Sequence, residues 1–182
     1  MAYNAGDAVA FAQRQMGRYK DGECWTLIED SVVAKGGKSS IGQTPNFGKD
    51  VSYVWGKAVN AQALQPGDVL QFMRYVWRKT TRIDVNGPAG TSFSEDYWDE
   101  GRGLPHHTAM VVRVVSAGIV EVVEQNIPPT TGPVQTVELV LIAPPASTVV
   151  TQEKGAGGVT VTTTKVTHLV SGQVICYRPI DA

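Results

Sequence analysis

Cys24 lies in the run Asp21-Gly22-Glu23-Cys24-Trp25, where a glycine-punctuated loop runs into an apolar-periodic segment. A thiol at a helix start sits where the aligned peptide dipoles favour a thiolate. Far downstream, His107 opens one strand-like run and Glu124-Gln125-Asn126 closes the next. These residue types suit one reaction. A thiolate attacks a carbonyl carbon, and an imidazole titrating near neutrality takes and returns the proton. A carboxylate or amide fixes the tautomer and orientation of the ring. The Cys24 backbone N–H, at the helix start, can donate to the oxyanion. Cys24, His107, Glu124 and Asn126 are therefore the candidate catalytic residues.

Each has a plainer reading when taken alone. A lone thiol heading a helix is more often a small core residue, and a lone histidine or glutamate at a strand end is more often a solvated or capped group. Their joint order favours the chemistry. His106 faces the opposite way along its strand and belongs to a rim. Zinc is disfavoured because His106 and His107 lack suitably spaced Cys or His partners. No metal and no cofactor is expected. Cys176, in the apolar run Val174-Ile175-Cys176-Tyr177, reads as a buried inert thiol, and two cysteines make no disulfide framework. His168 reads as a surface residue. Trp25, Tyr53, Trp55 and Phe72 fit either a substrate groove or core packing.

Helices come first and strands later, which implies an α+β arrangement with N-terminal helices packed on an antiparallel sheet. Asp7 to Met16 reads as a helix closed by Gly17. Cys24 to Lys35 reads as a second, stopped by Gly36-Gly37, with Cys24, Leu27, Ile28 and Val32 on the buried stripe and Glu29, Asp30 and Lys35 facing water. Val51 to Gly56 is a short strand or an aromatic wall. Pro66-Gly67 is a turn that leads into a strand over Asp68 to Val76. Arg78 to Leu104 shows no sustained period and reads as a loop excursion over a site, with Glu95 to Glu100 as a solvated part of it. Thr108 to Val115, Ile119 to Gln125 and Val134 to Ile142 are three successive strands, the last ended by Pro144-Pro145. Ser147 to Thr151 and Val159 to Thr167 form a hairpin around the Gly155 to Gly158 turn, and Gln173 to Arg178 is a last strand. Residues 1–182 read as one domain with insertions near 78–104 and 146–167.

Alternation along strands gives a geometric test. If the loop is Val115-Ser116-Ala117-Gly118, Val114 pairs with Ile119. Ala109 then faces Glu124 and His107 faces Asn126, all at one end of the hairpin. A three-residue loop with Gly118 left-handed would turn His107 to the wrong face. Either loop is compatible with the residues.

The composition is that of a folded globular chain: 42% hydrophobic, 18% charged, net charge −1. Without a basic stretch, nucleic acid is not an expected partner. No apolar run is long enough to span a membrane. Met1 to Gly17 lacks the pattern of a signal peptide. The chain as read is therefore expected in the cytoplasm, or to leave by a holin or a specialised secretion system.

Four segments in this order resemble the CHAP and NlpC/P60 superfamily of papain-like cysteine peptidases: Gly22-Glu23-Cys24-Trp25, Pro66-Gly67-Asp68-Val69-Leu70, His107-Thr108-Ala109-Met110, and Glu124-Gln125-Asn126. The resemblance implies a papain-like fold and hydrolysis of a peptide or peptidoglycan amide. Cys24 would be the nucleophile, His107 the base, Glu124 the orienting acid and Asn126 a supporting polar group. Glu23 stands where many CHAP domains carry Gln, and an ionised carboxylate cannot donate to an oxyanion. That departure motivates two alternatives: a binding or scaffold module that keeps the fold with little or no catalysis, or a thiol-dependent effector acting on another protein.

Overall fold

The computed structural model describes residues 2–15, 17–48, 51–127, 132–141 and 147–182. The expected helix end at Met16 and strand end at Ile142 and Pro144-Pro145 lie outside the described residues. Two helices come first: α1, Ala5–Gln13, and α2, Cys24–Val33. Seven strands follow among the described residues: β1 Lys57–Val59, β2 Val69–Gly87, β3 Gly90–Ser116, β4 Ile119–Glu124, β5 Gln135–Val140, β6 Ser147–Lys154 and β7 Thr160–Arg178. Their order in the sheet is β1-β7-β2-β3-β4-β5, with β6 also paired to β7.

The chain divides into two units. The first comprises Met1–Tyr75, Arg102–Ile142 and Gly172–Ala182, and the second Val76–Gly101 and Ala143–Ser171. In the first unit, Ala8 and Ala12 of α1 and Leu27, Ile28 and Val32 of α2 are fully buried together with Trp55, Val69, Met110 and Val123. Removing that apolar surface from water holds the helices to the sheet. α1 starts two residues earlier than expected, because the Asn4 side chain accepts from the Asp7 N–H at 3.0 Å and caps it. α2 ends before Gly36, which takes φ 83°. Glu29 does not face water as expected. It is buried and accepts from the N–H and hydroxyl of Ser40 at 3.1 and 2.7 Å. Helical periodicity alone could not register these Ser40 donors, which come from the following loop.

The motif at Pro66-Gly67-Asp68 has a structural basis. Asp68 is buried, and both its oxygens accept from Arg178 at 3.0 and 2.9 Å. Residues 51–55 are irregular rather than a strand and form the aromatic alternative, with Tyr53 and Trp55 6.2 Å apart edge to face.

The excursion expected over Arg78 to Leu104 is instead a long hairpin. β2 and β3 continue through it and turn at Pro88-Ala89. Glu95 to Glu100 lies on β3 rather than in a loop. Within the second unit, Arg78 pairs with Asp99 at 2.7 Å and lies 4.5 Å from the Tyr97 ring, and Arg82 lies 4.4 Å from the Phe93 ring. Both faces there carry polar and aromatic groups, so no apolar alternation marks the strands. The Thr-rich hairpin is present, with Val150 opposite Thr164, and its second arm runs on without a break into the expected last strand.

The β3–β4 turn is tighter than the four-residue loop weighed above. Ser116 pairs with Ile119, and Val114 with Val120 rather than Ile119. Two register shifts, between Val111 and Arg113 and between Val114 and Ser116, then absorb the difference. Met110 therefore faces Val123, and Val111 faces Val122. This is the register that the candidate site requires.

Gly103 is the tightest backbone constraint beside that site. It takes φ 73°, and a Cβ there would meet the His107 nitrogen at 2.8 Å and the Phe72 carbonyl oxygen at 2.9 Å. Gly103→Ala is expected to destabilise the chain by about 1–3 kcal/mol, read by urea denaturation. Gly42→Ala, whose nearest neighbour would be 4.0 Å away, serves as the control.

Candidate active site

Three elements of the first unit meet at Cys24. α2 supplies the thiol as its first residue, β3 supplies His107, and β4 ends at Glu124. His107 and Glu124 are buried, whereas Cys24 is half-buried. His107 Nε2 lies 3.0 Å from Glu124 Oε2. The Cys24 side chain hydrogen-bonds to the same imidazole, for which Nδ1 is the remaining ring nitrogen. An ionised carboxylate only accepts, so Glu124 fixes the proton on Nε2 and leaves Nδ1 toward the sulfur. The imidazolium feels burial first, which opposes its charge. Hydrogen bonds and charge from Cys24 and Glu124 outweigh that, and the His107 pKa is pushed up to about 9. Burial likewise opposes the Glu124 carboxylate, but His107 and then Arg102 hold its pKa below the usual range.

Arg102 was missed by the sequence reading. Its Nε lies 3.1 and 3.0 Å from the two Glu124 oxygens, and Nη2 lies 2.9 Å from Oε1. Gln135 on β5 adds a donor to Oε1 at 3.0 Å. Arg102 sits in the stretch read as a loop excursion, and no local pattern announces a partner 22 residues away. Gln71 was also missed. It donates to the His107 carbonyl at 3.3 Å and accepts from Thr108 and Trp55 at 3.0 and 3.1 Å. It thereby fixes the strand that carries the imidazole.

Glu124, the last residue of β4, and the two residues after it perform three different tasks. Glu124 meets His107. Gln125, fully buried, accepts from the Tyr19 N–H at 3.1 Å and donates to the Glu23 carbonyl at 2.6 Å. The loop that delivers Cys24 hangs on this amide. Asn126 points elsewhere than expected: its Nδ2 donates to Glu23 Oε2 at 3.1 Å. It takes φ 65° beyond the strand end, so it steadies Glu23 rather than the imidazole. Glu23 itself is the N-cap of α2 but makes no side-chain cap, and it lines the same cleft as Cys24.

These groups open into a cleft of about 810 Å³. Cys24, His106, His107, Thr108 and Asn126 line it along with an aromatic wall of Trp25, Phe47 and Tyr53, whose rings lie 5.5 to 6.0 Å apart. Trp25 Nε1 donates to Ser40 at 2.9 Å, and Ser40 donates in turn to buried Glu29. Trp55 and Phe72 are core residues. His106 is on the rim, and His168, in the second unit, is half-buried rather than fully exposed. Cys176 is a free thiol, buried, with its pKa pushed up to about 11 by burial and the Asp68 charge. No group of three or more His, Cys, Asp or Glu side chains among the described residues could hold a metal ion. No described helix is long and apolar enough to cross a membrane.

A family model described as the AIM3/BBC1 cysteine proteinase-fold domain matches residues 4–182. The chain belongs to this family. No curated protein and no solved structure matches it. Membership in the AIM3/BBC1 cysteine proteinase-fold family establishes the coarser half of the resemblance, a cysteine proteinase fold. The CHAP and NlpC/P60 assignment is finer than that match.

Two outcomes follow for this AIM3/BBC1-type domain. Iodoacetamide at neutral pH is expected to label Cys24 well ahead of Cys176, read by peptide mass mapping. Because His107 is charged more readily in the fold than its ordinary 6.5, its contribution to stability is complete below about pH 6.5 and lost as pH rises through about 9. Urea midpoints should fall across that window in the wild type and stay flatter in His107→Asn.

Proposed function

We propose that the chain is a cysteine-dependent amide hydrolase acting through an acyl-enzyme. Cys24 is the nucleophile, His107 the general acid and base, and Glu124 the group that orients and charges His107. The observation that carries this reading is the hydrogen-bonded line from half-buried Cys24 through buried His107 to buried Glu124, opening at its sulfur end into the cleft. The thiolate attacks the amide carbon, and the Cys24 N–H at the start of α2 donates to the oxyanion. The Nδ1 proton goes to the leaving amine as the C–N bond breaks, leaving a thioester on sulfur. Neutral His107 then takes a proton from water, which adds to the thioester and releases the acid. The aromatic wall of Trp25, Phe47 and Tyr53 suits a peptide-type amide. Peptidoglycan stem peptides are the amides that the CHAP-like segments imply.

Glu23 favours a second reading. It lines the cleft next to Cys24 in the chain, and its ionised carboxylate cannot donate to an oxyanion. A binding module that keeps the thiol and its partners with little turnover would have this arrangement. Cys24→Ala separates the two. Under the hydrolase reading it abolishes release of new amino groups from peptides or peptidoglycan and leaves the far-UV circular dichroism unchanged. Turnover that survives the substitution would end that reading, and a wild type that binds these substrates without cleaving them would favour the module.

A further inference from the structure

Glu124 carries more partners than an orienting carboxylate needs. It is fully buried, with Arg102, itself buried, on both oxygens, Gln135 on Oε1 and His107 on Oε2. We propose that Arg102 is a positioning residue that lets His107 give up its proton: the guanidinium balances the Glu124 charge when the imidazole is neutral. This rests on the hydrolase reading and concerns its second half.

When His107 is an imidazolium, Glu124 has two cationic neighbours. When His107 is neutral, Arg102 is still bonded to that carboxylate as a cation. A buried carboxylate stripped of its last cation is costly, so without Arg102 the His107–Glu124 pair would cling to one shared proton. The two reaction halves feel this differently. Acylation uses the imidazolium–thiolate pair, which a firmly held proton does not impair. Deacylation needs a neutral imidazole to accept a proton from water, and a firmly held proton blocks it. The fork geometry matters too, because Nε and Nη2 together fix the plane of the carboxylate and so aim Oε2 at Nε2. Arg102 is joined to His107 by a short segment that folds back at Gly103, so the same stretch of β3 supplies both groups.

4-Nitrophenyl acetate tests this without knowledge of the natural substrate. Its acetyl group transfers to the Cys24 sulfur as the ester C–O bond breaks and 4-nitrophenolate leaves. His107 then releases its proton to solvent, and water cleaves the thioester to acetate, its proton passing to the neutral imidazole and restoring the imidazolium–thiolate pair. In Arg102→Gln the nitrophenolate burst is expected to persist, while steady-state turnover at pH 7 falls about tenfold or more. The His107 ring resonance, followed by NMR, should titrate about one unit or more higher. Arg102→Lys, which keeps the charge and loses the fork, should retain the wild-type midpoint and turn over between the other two. A merely structural role predicts that burst and steady state fall together with an unmoved midpoint, and that result overturns the proposal. If Arg102→Gln does not fold, the Lys variant decides: a midpoint displaced despite the retained charge overturns it. Failure of the hydrolase reading looks different, since wild-type Cys24 would then give no burst at all while the His107 midpoints still judge Arg102.

Discussion

The site depends on one buried anion. Glu124 has no solvent exposure, and a carboxylate in that position is tolerable only when cations and donors surround it. Its partners come from β3, at Arg102 and at His107, and from β5, at Gln135. Meeting that demand fixes the register of three strands at their site end. It also fixes the imidazole, because a carboxylate at Nε2 leaves only Nδ1 for the sulfur. The bulges on β3 have the same consequence. They convert a tight two-residue turn into the pairing of Met110 with Val123, which brings this end of the hairpin into line.

The thiol is held by a different means. No strand carries Cys24. The loop before α2 is suspended from Gln125, whose amide bonds main-chain groups of Tyr19 and Glu23. Glu124 at the end of β4 holds the imidazole, and Gln125, the next residue, holds the cysteine loop. Asn126 extends the arrangement to the Glu23 carboxylate. Nucleophile, base and orienting acid are thus tied to one strand end, although they lie 100 residues apart in sequence at their extremes, 24 against 124.

The second unit is built on other terms. Its strands carry ion pairs and cation–aromatic contacts on partly exposed faces, including Lys79 with Glu100 at 2.6 Å and with the Trp98 ring at 5.9 Å. Pairs that solvent reaches this freely contribute little stability each. What orders these strands is backbone pairing with neighbours, which side-chain type does not encode. A reading that looks for apolar alternation therefore sees a loop in Arg78 to Leu104, although the Asn86-Gly87-Pro88-Ala89-Gly90 run is a turn signal flanked by strands of equal polarity.

Sequence by itself determined the two helices, the order of thiol, imidazole and carboxylate, the Thr-rich hairpin and the α+β class. Each of these is written in local patterns: a cap, a period, a glycine, a run of β-branched residues. It could not determine that Arg102 and Gln135 surround Glu124, that Asn126 turns to Glu23, or that Glu29 is buried under Ser40. Those are partnerships between polar groups distant in the chain, set by which donor reaches a buried acceptor once the strands have paired. Local pattern carries no information on that reach, so only the tertiary structure decided it.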